Sequence, residues 1–284
     1  MKFLTFYKLY FRHRIEKANI FLKLYLYVVV VLRYFINCFY FDKKINLDEY
    51  EINNKNLYEK DLHFLFDYFN SDKGNFFFDQ YPEPFKRKDK LKKIQAHGYS
   101  KYYENYFKNL QKQNINVLEI GSFYGSASAA LFFYFKNSKI FGADINPDMF
   151  KYLSKRITSF YVDSGSRISI DEHILKKNLK YKIIIEDASH RLKDQIISLF
   201  MLFEILESGG IFIIEEIDFP ETRKDMRINQ SQPDLKKILK CILQNKDFYS
   251  DYIKSSEKNY FLKHFEDIKF YRGNYNEIAI IRKK

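Results

Sequence analysis

An α/β fold with a mostly parallel sheet is what this 284-residue sequence predicts, and three observations carry the prediction. Residues 117–130 read VLEIGSFYGSASAA: an apolar strand ending in an acid, a glycine-containing turn, then small residues that open a helix. Three later apolar segments, residues 139–144, 159–162 and 181–185, each end in or run into a carboxylate. The length suits one full α/β core with an added segment, so a single main domain is expected.

Taken in order, the first strand stops at Glu119, and a turn through Gly121 and Gly125 brings bare backbone close to a ligand, because glycine has no Cβ to obstruct it. Ser126, Ala127 and Ser128 let the following helix pack closely. A strand-turn-helix without a ligand is the competing reading of this segment alone. The second strand, KIFGAD, ends at Asp144, about 20 residues after the glycine turn, where a carboxylate would accept both ribose hydroxyls of a nucleotide-like cofactor. Asn146 and Pro147 then break it. The third strand ends at Asp163 and the fourth at Glu186 and Asp187. In an open α/β sheet ligands bind at the carboxyl edge, so these acids describe one site.

On these residues the chain resembles the class I S-adenosylmethionine-dependent methyltransferases, from about Ser71 to the C-terminus. The resemblance implies a Rossmann-like sheet of seven strands, completed by residues 210–214 and a terminal antiparallel hairpin, 264–271 with 276–282. It also implies that Glu119, Gly121, Ser122 and Gly125 form the cofactor turn, that Asp144 binds the ribose, and that Asp163 and Ser164 approach the adenine.

A narrower resemblance rests on IEDASH, residues 185–190, and LFEILESGGIFIIEE, residues 202–216. These are similar to the macrocin- and mycinamicin-type sugar O-methyltransferases, as are SDKG at 71–74 and HGYSKYYENYF at 97–107. The resemblance implies Asp187, Glu215 and Glu216 as ligands of Mg²⁺ or Mn²⁺ and His190 as the base. Ala188 departs from the family's usual glycine, and Glu216 from its usual aspartate, which puts the coordination distance at that position in doubt.

The chemistry asks for these residue types. A sugar hydroxyl is a poor nucleophile at neutral pH, and a hard divalent cation held by carboxylates would stabilise the developing alkoxide. A histidine three residues past Asp187 is close enough to take the proton, a contribution of about 10²–10⁴-fold. Each residue also has a plainer reading. Asp187 and Ser189 would cap a helix beginning near Leu192, Glu215 and Glu216 would be solvated loop acids, and His190 a histidine at a helix terminus. His97 with Tyr99, Tyr102 and Tyr103 would border a sugar or form a packed helix face. Functional alternatives are a methyltransferase of the same fold acting on a small phenolic or lipid-linked acceptor, and a non-catalytic cofactor-binding protein docked on a membrane assembly.

The net charge of +12 raises nucleic-acid binding, but no RNA-binding signature accompanies it, so no nucleic-acid partner is expected. The two cysteines, Cys38 and Cys241, form no metal spacing, and a reducing cytoplasm is the simpler inference. The expected partner is a small-molecule or glycoconjugate substrate, and a homo-oligomer is compatible with the sequence. Residues 1–45 form a separate basic, aromatic segment. Its uncharged core, residues 24–32, is short for a bilayer span and no small-residue cleavage site follows. A helix lying at the inner face of a membrane and a helix packed on the domain or its partner are the two readings. Residues 46–112 are expected to form a helical cap and connection, with a helix over 61–69 and a loop over 75–93 that closes over the site. Residues 113–284 form the cofactor domain, with a lid at 218–233 and a helix at 234–244 behind it.

Overall fold

In the computed structural model, residues 2–16, 18–40, 44–78, 92–227 and 231–284 are described. Most of the expected closing loop, residues 79–91, and the tip of the expected lid, residues 228–230, lie outside them.

Three helices open the chain: α1 (Phe3–Tyr10), α2 (Arg12–Glu16) and α3 (Ile20–Tyr40). The connecting region follows with α4 (Leu47–Asn53), α5 (Leu62–Tyr68) and α6 (Ser100–Phe107). Asp61 caps α5 by accepting the Phe64 N–H at 2.7 Å, which leaves Asp61 itself outside the helix. A short antiparallel ribbon pairs Phe76–Phe78 with Lys93–Gln95.

The remainder alternates strand and helix except between the second and third strands: β1 (Asn116–Ile120), α7 (Ser126–Tyr134), β2 (Lys139–Asp144), β3 (Ile157–Tyr161), α8 (Arg167–His173), β4 (Tyr181–Glu186), α9 (Leu192–Leu202) and β5 (Leu206–Ile214). Then come α10 (Phe219–Thr222), α11 (Leu235–Leu243), α12 (Ser255–His264), β6 (Phe265–Arg272) and β7 (Glu277–Lys283). The seven strands make one sheet in the order β6-β7-β5-β4-β1-β2-β3. Pairing is parallel from β5 to β3, and β7 joins antiparallel to both β5 and β6. The Rossmann-like fold with its terminal hairpin is therefore as the sequence predicts.

Alternation along the strands builds two cores. Leu118, Ile184, Phe212 and Ile281 face α9, α11 and α12, while Val117, Ile183, Ile185, Ile213 and Ile280 face α5, α6 and α7. Helix α7 fits because its first turns are Ser and Ala, and every residue from Ala127 to Tyr134 is buried. Residues of the connecting region thus share a core with the sheet. The third strand departs slightly from expectation: it spans Ile157–Tyr161, so Asp163 lies in the loop beyond its end.

Sheet order places the site. The chain runs outward from β1 in one direction through β2 and β3, then returns to the other side of β1 with β4. That reversal opens a crevice beyond the carboxyl ends of β1 and β4. Register makes those ends level: Ile120 is opposite Glu186, and Glu186 opposite Ile214.

Candidate active site

The residues after these level ends surround a cleft of about 610 Å³, lined by Glu119, Gly121, Ser122, Asp144, Asp163, Ser164, Asp187 and His190 among others. Gly125, Glu215 and Glu216 are not part of its wall. Gly121, at φ +87°, needs glycine twice over. Its backbone is left-handed, and a Cβ would run into the carbonyl of Asp187, so the turns after β1 and β4 could not close together. Gly125, at φ +78°, caps α7 and leaves room for the Phe150 ring.

Asp144 is held by the loops on either side. Its Oδ2 accepts the Phe123 N–H at 2.9 Å and its Oδ1 the Asn146 N–H at 2.7 Å. Each oxygen keeps a further lone pair, so the carboxylate remains able to accept ribose hydroxyls. Burial raises its pKa, against the pull of those two N–H donors. Glu119 is also buried, accepts the Ser128 hydroxyl at 2.6 Å, and is pushed by burial to about 7. It ties the end of β1 to the first turn of α7.

At the other end of the cleft, Asp187, His190 and Glu216 each offer a ligand atom within 4.8 Å of the others. His190 Nε2 lies 3.8 Å from Asp187 Oδ1, and its Nδ1 3.5 Å from Glu216 Oε2, distances too long for good hydrogen bonds. That Nδ1 and that Oε2 are buried without hydrogen-bonding partners; a bound cation would satisfy the carboxylate oxygen, and the ring nitrogen is left open. Two carboxylates with neighbouring open positions suit Mg²⁺, which keeps several water or substrate oxygens. His190 and Glu216 have φ of +55° and +46°, uncommon for side chains of this kind, so the backbone is strained where the cluster forms.

The acidic pair after β5 divides. Glu215, expected as a ligand, stands apart from the cluster. It accepts the Tyr103 hydroxyl, and Lys73 Nζ lies 3.1 Å from its Oε1. Asp187 and Ser189 do not cap α9, whose N-cap is Arg191; the Ser189 hydroxyl instead donates to Asp194 at 2.5 Å.

Around the acids lie Lys73, which the sequence did not single out, and His97, Tyr99 and Tyr103, which it did as a sugar border or a packed helix face. Lys73 is buried and donates to Asp187, with Glu215 at 3.1 Å and Glu119 at 3.8 Å. Burial alone would lower its pKa, but the acids around it outweigh that and hold the ammonium charged. Tyr99 and Tyr103 are fully buried, and Tyr99 donates to Glu216 at 3.3 Å. Burial and nearby acids hold both phenols far above their ordinary pKa, so they remain donors. His97 stacks on Tyr99 and points Nδ1 at Glu216 Oε1, 3.2 Å away. In the sequence, Lys73 was signalled by the SDKG segment alone, and His97, Tyr99 and Tyr103 by HGYSKYYENYF and by their aromatic cluster. Burial likewise drives Glu215 and Glu216 well above the carboxylate range, with the charge of Asp187 adding to it. Burial lowers the pKa of His190, although Asp187 opposes this, so the imidazole is favoured neutral.

No family model matches the chain. Its sequence is 26% identical over 128 residues to demethylmacrocin O-methyltransferase of Streptomyces fradiae, a stretch covering 43% of this chain and 32% of that protein. It is 27% identical over a stretch of the same length to mycinamicin VI 2''-O-methyltransferase of Micromonospora griseorubida. Among solved structures it is similar to the MycE methyltransferase in complex with Mg, SAH and mycinamycin VI. There the TM-score is 0.57 at 19% identity, covering 79% of this chain and 54% of that one. The fold is that of the class I S-adenosylmethionine-dependent methyltransferases. Over the matched stretch the sequence resembles the macrocin- and mycinamicin-type O-methyltransferases. The chain spans about half the length of the MycE structure, and the matched stretch about a third of the curated relatives.

Proposed function

We propose that the chain transfers a methyl group from S-adenosylmethionine to a hydroxyl of a sugar or glycoconjugate, with Mg²⁺ or Mn²⁺ assisting. One observation carries the reading: a single cleft joins the glycine turn and Asp144 to Asp187 and His190, with Glu216 completing the cluster. The cofactor-facing residues would be Glu119, Gly121, Ser122, Gly125, Asp144, Asp163 and Ser164. Asp187 and Glu216 would hold the cation, which when bound would lower the cost of charge on the acceptor oxygen. Glu215 would act from behind, through Lys73.

His190 is the base. Its neutral imidazole would take the proton of the acceptor hydroxyl as that oxygen bonds to the methyl carbon and the carbon–sulfur bond breaks, leaving S-adenosylhomocysteine. Tyr99 and His97 would hold Glu216 in place. The names of similar proteins support the acceptor class: one solved neighbour is a methyltransferase in complex with Mg, SAH and mycinamycin VI, and the curated relatives are a demethylmacrocin O-methyltransferase and a mycinamicin VI 2''-O-methyltransferase.

Calorimetric titration of S-adenosylmethionine into the chain, with and without Mg²⁺ and beside Asp144→Ala, tests the reading. Saturable binding that the variant loses supports it. Failure of the intact chain to bind overturns it.

A further inference from the structure

The first 44 residues carry nine lysines and arginines against two acids, a net +7 of the whole chain's +12. The structure gives the described part of this segment a shape. Helices α1 and α2 lie against α3, where Phe6, Phe11, Ile15 and Val30 form a small core of their own. The inward positions on α3 include Leu26, Val30 and Tyr34. The opposite face is bare: Phe21, Leu24, Val28, Leu32 and Phe35 are each more than half exposed. Their spacing of three or four residues sets them in one stripe along the helix. Solvated helices do not ordinarily carry such a stripe, and an exposed apolar patch of this kind marks an interaction surface.

We infer that this face docks the protein on an anionic membrane surface, with α3 lying in the interfacial plane. Charge selects the occupant. A second copy would bring another +7 segment against this one, whereas acidic headgroups attract the lysines and arginines while the apolar stripe enters the acyl boundary. Among the described residues no helix is long and apolar enough to cross a bilayer, which fits a helix that lies on the surface. Both ends of α1 are tied to the cofactor domain. Thr5 donates to Asp148 at 3.1 Å, and the Tyr10 hydroxyl meets that of Tyr124, in the cleft wall, at 2.8 Å. Docking through α3 therefore sets the cleft beside the membrane.

Co-sedimentation of the full chain with vesicles tests this. The chain should pellet with vesicles of phosphatidylcholine mixed with phosphatidylglycerol, and far less with phosphatidylcholine alone. Raising salt from about 0.1 to about 0.5 M should release it as the charges are screened. The triple variant Leu24→Glu, Val28→Glu, Leu32→Glu should bind the anionic vesicles at least about tenfold more weakly. Its altered side chains point into solvent, so its affinity for S-adenosylmethionine should be unchanged, which separates loss of docking from loss of the proposed activity. Equal binding by the variant, or no binding by the intact chain, overturns the inference. So does a dimer in sedimentation velocity that the same substitutions dissolve while vesicle binding is absent.

Discussion

Lys73 Nζ lies 3.1 Å from Glu215 Oε1, with both side chains almost wholly buried. The same ammonium also pairs with Asp187, so one cation bridges the ends of β4 and β5 at the cleft wall. Removing one partner of a buried pair leaves uncompensated charge and costs roughly 3–5 kcal/mol. Lys73→Met should destabilise the fold by about that amount in urea denaturation. The carboxyl pKa values of Glu215 and Glu216 are already raised, and losing the ammonium raises Glu215 further. Such groups favour folding when protonated, so the deficit should be larger at about pH 8 than at about pH 5. Lys73→Arg should recover most of the loss; a Met variant as stable as the parent would show that the bridge contributes nothing.

At Gly121 the demand is geometric. Ala would bring both a left-handed backbone penalty and a clash with the Asp187 carbonyl, and the two loops would have to part. Gly121→Ala should lower stability by about 1–3 kcal/mol and weaken S-adenosylmethionine binding at least about tenfold. Unchanged calorimetric affinity would show that the two loops can part without disturbing the cofactor end of the cleft.

The divided acidic pair makes a comparison possible. If Asp187 and Glu216 hold the cation, Asp187→Asn and Glu216→Gln should each weaken Mn²⁺ binding by more than the roughly 10–100-fold that losing a partner behind the ligands costs, and Glu215→Gln by less. Mn²⁺ titration followed by electron paramagnetic resonance reads this directly. Because burial raises the pKa of Glu216, the cation must displace a proton to bind. Affinity should therefore rise with pH, with proton release visible as a buffer-dependent binding enthalpy. Equal losses for Glu215→Gln and Glu216→Gln would return Glu215 to the ligand set.

Much of this was legible in the chain. A strand that ends in an acid writes its own boundary, because the apolar run breaks at the carboxylate, and so the edge holding Glu119, Asp144 and Asp187 could be read in order. The division of Glu215 from Glu216 could not, since it depends on a left-handed backbone at Glu216 that no residue type announces. Lys73 was illegible for another reason. Its partners Glu119, Asp187 and Glu215 lie far along the chain and meet it only through the level ends of β1, β4 and β5. Tyr99 and Tyr103 were visible as aromatics, but only their burial shows that their hydroxyls serve the acids.

Glu186 offers a test that is independent of any ligand. It ends β4 fully buried, on the sheet face that α9 covers, and burial pushes its carboxyl from the usual range to about 8, with the charges of Asp187 and Asp194 adding to the rise. A carboxyl raised on folding binds its proton more tightly in the folded state. Its contribution is complete below the unfolded value of about 4.5 and is lost as pH climbs towards 8, at about 1.4 kcal/mol for each unit of the rise. Glu186→Gln has the same shape and no charge to bury. The variant should match the parent near pH 4.5 and exceed it by a few kcal/mol near pH 8, read as the difference between urea denaturation midpoints across that window. Parallel curves for the two proteins would mean that Glu186 ionises in the fold without cost, through water that reaches the end of β4.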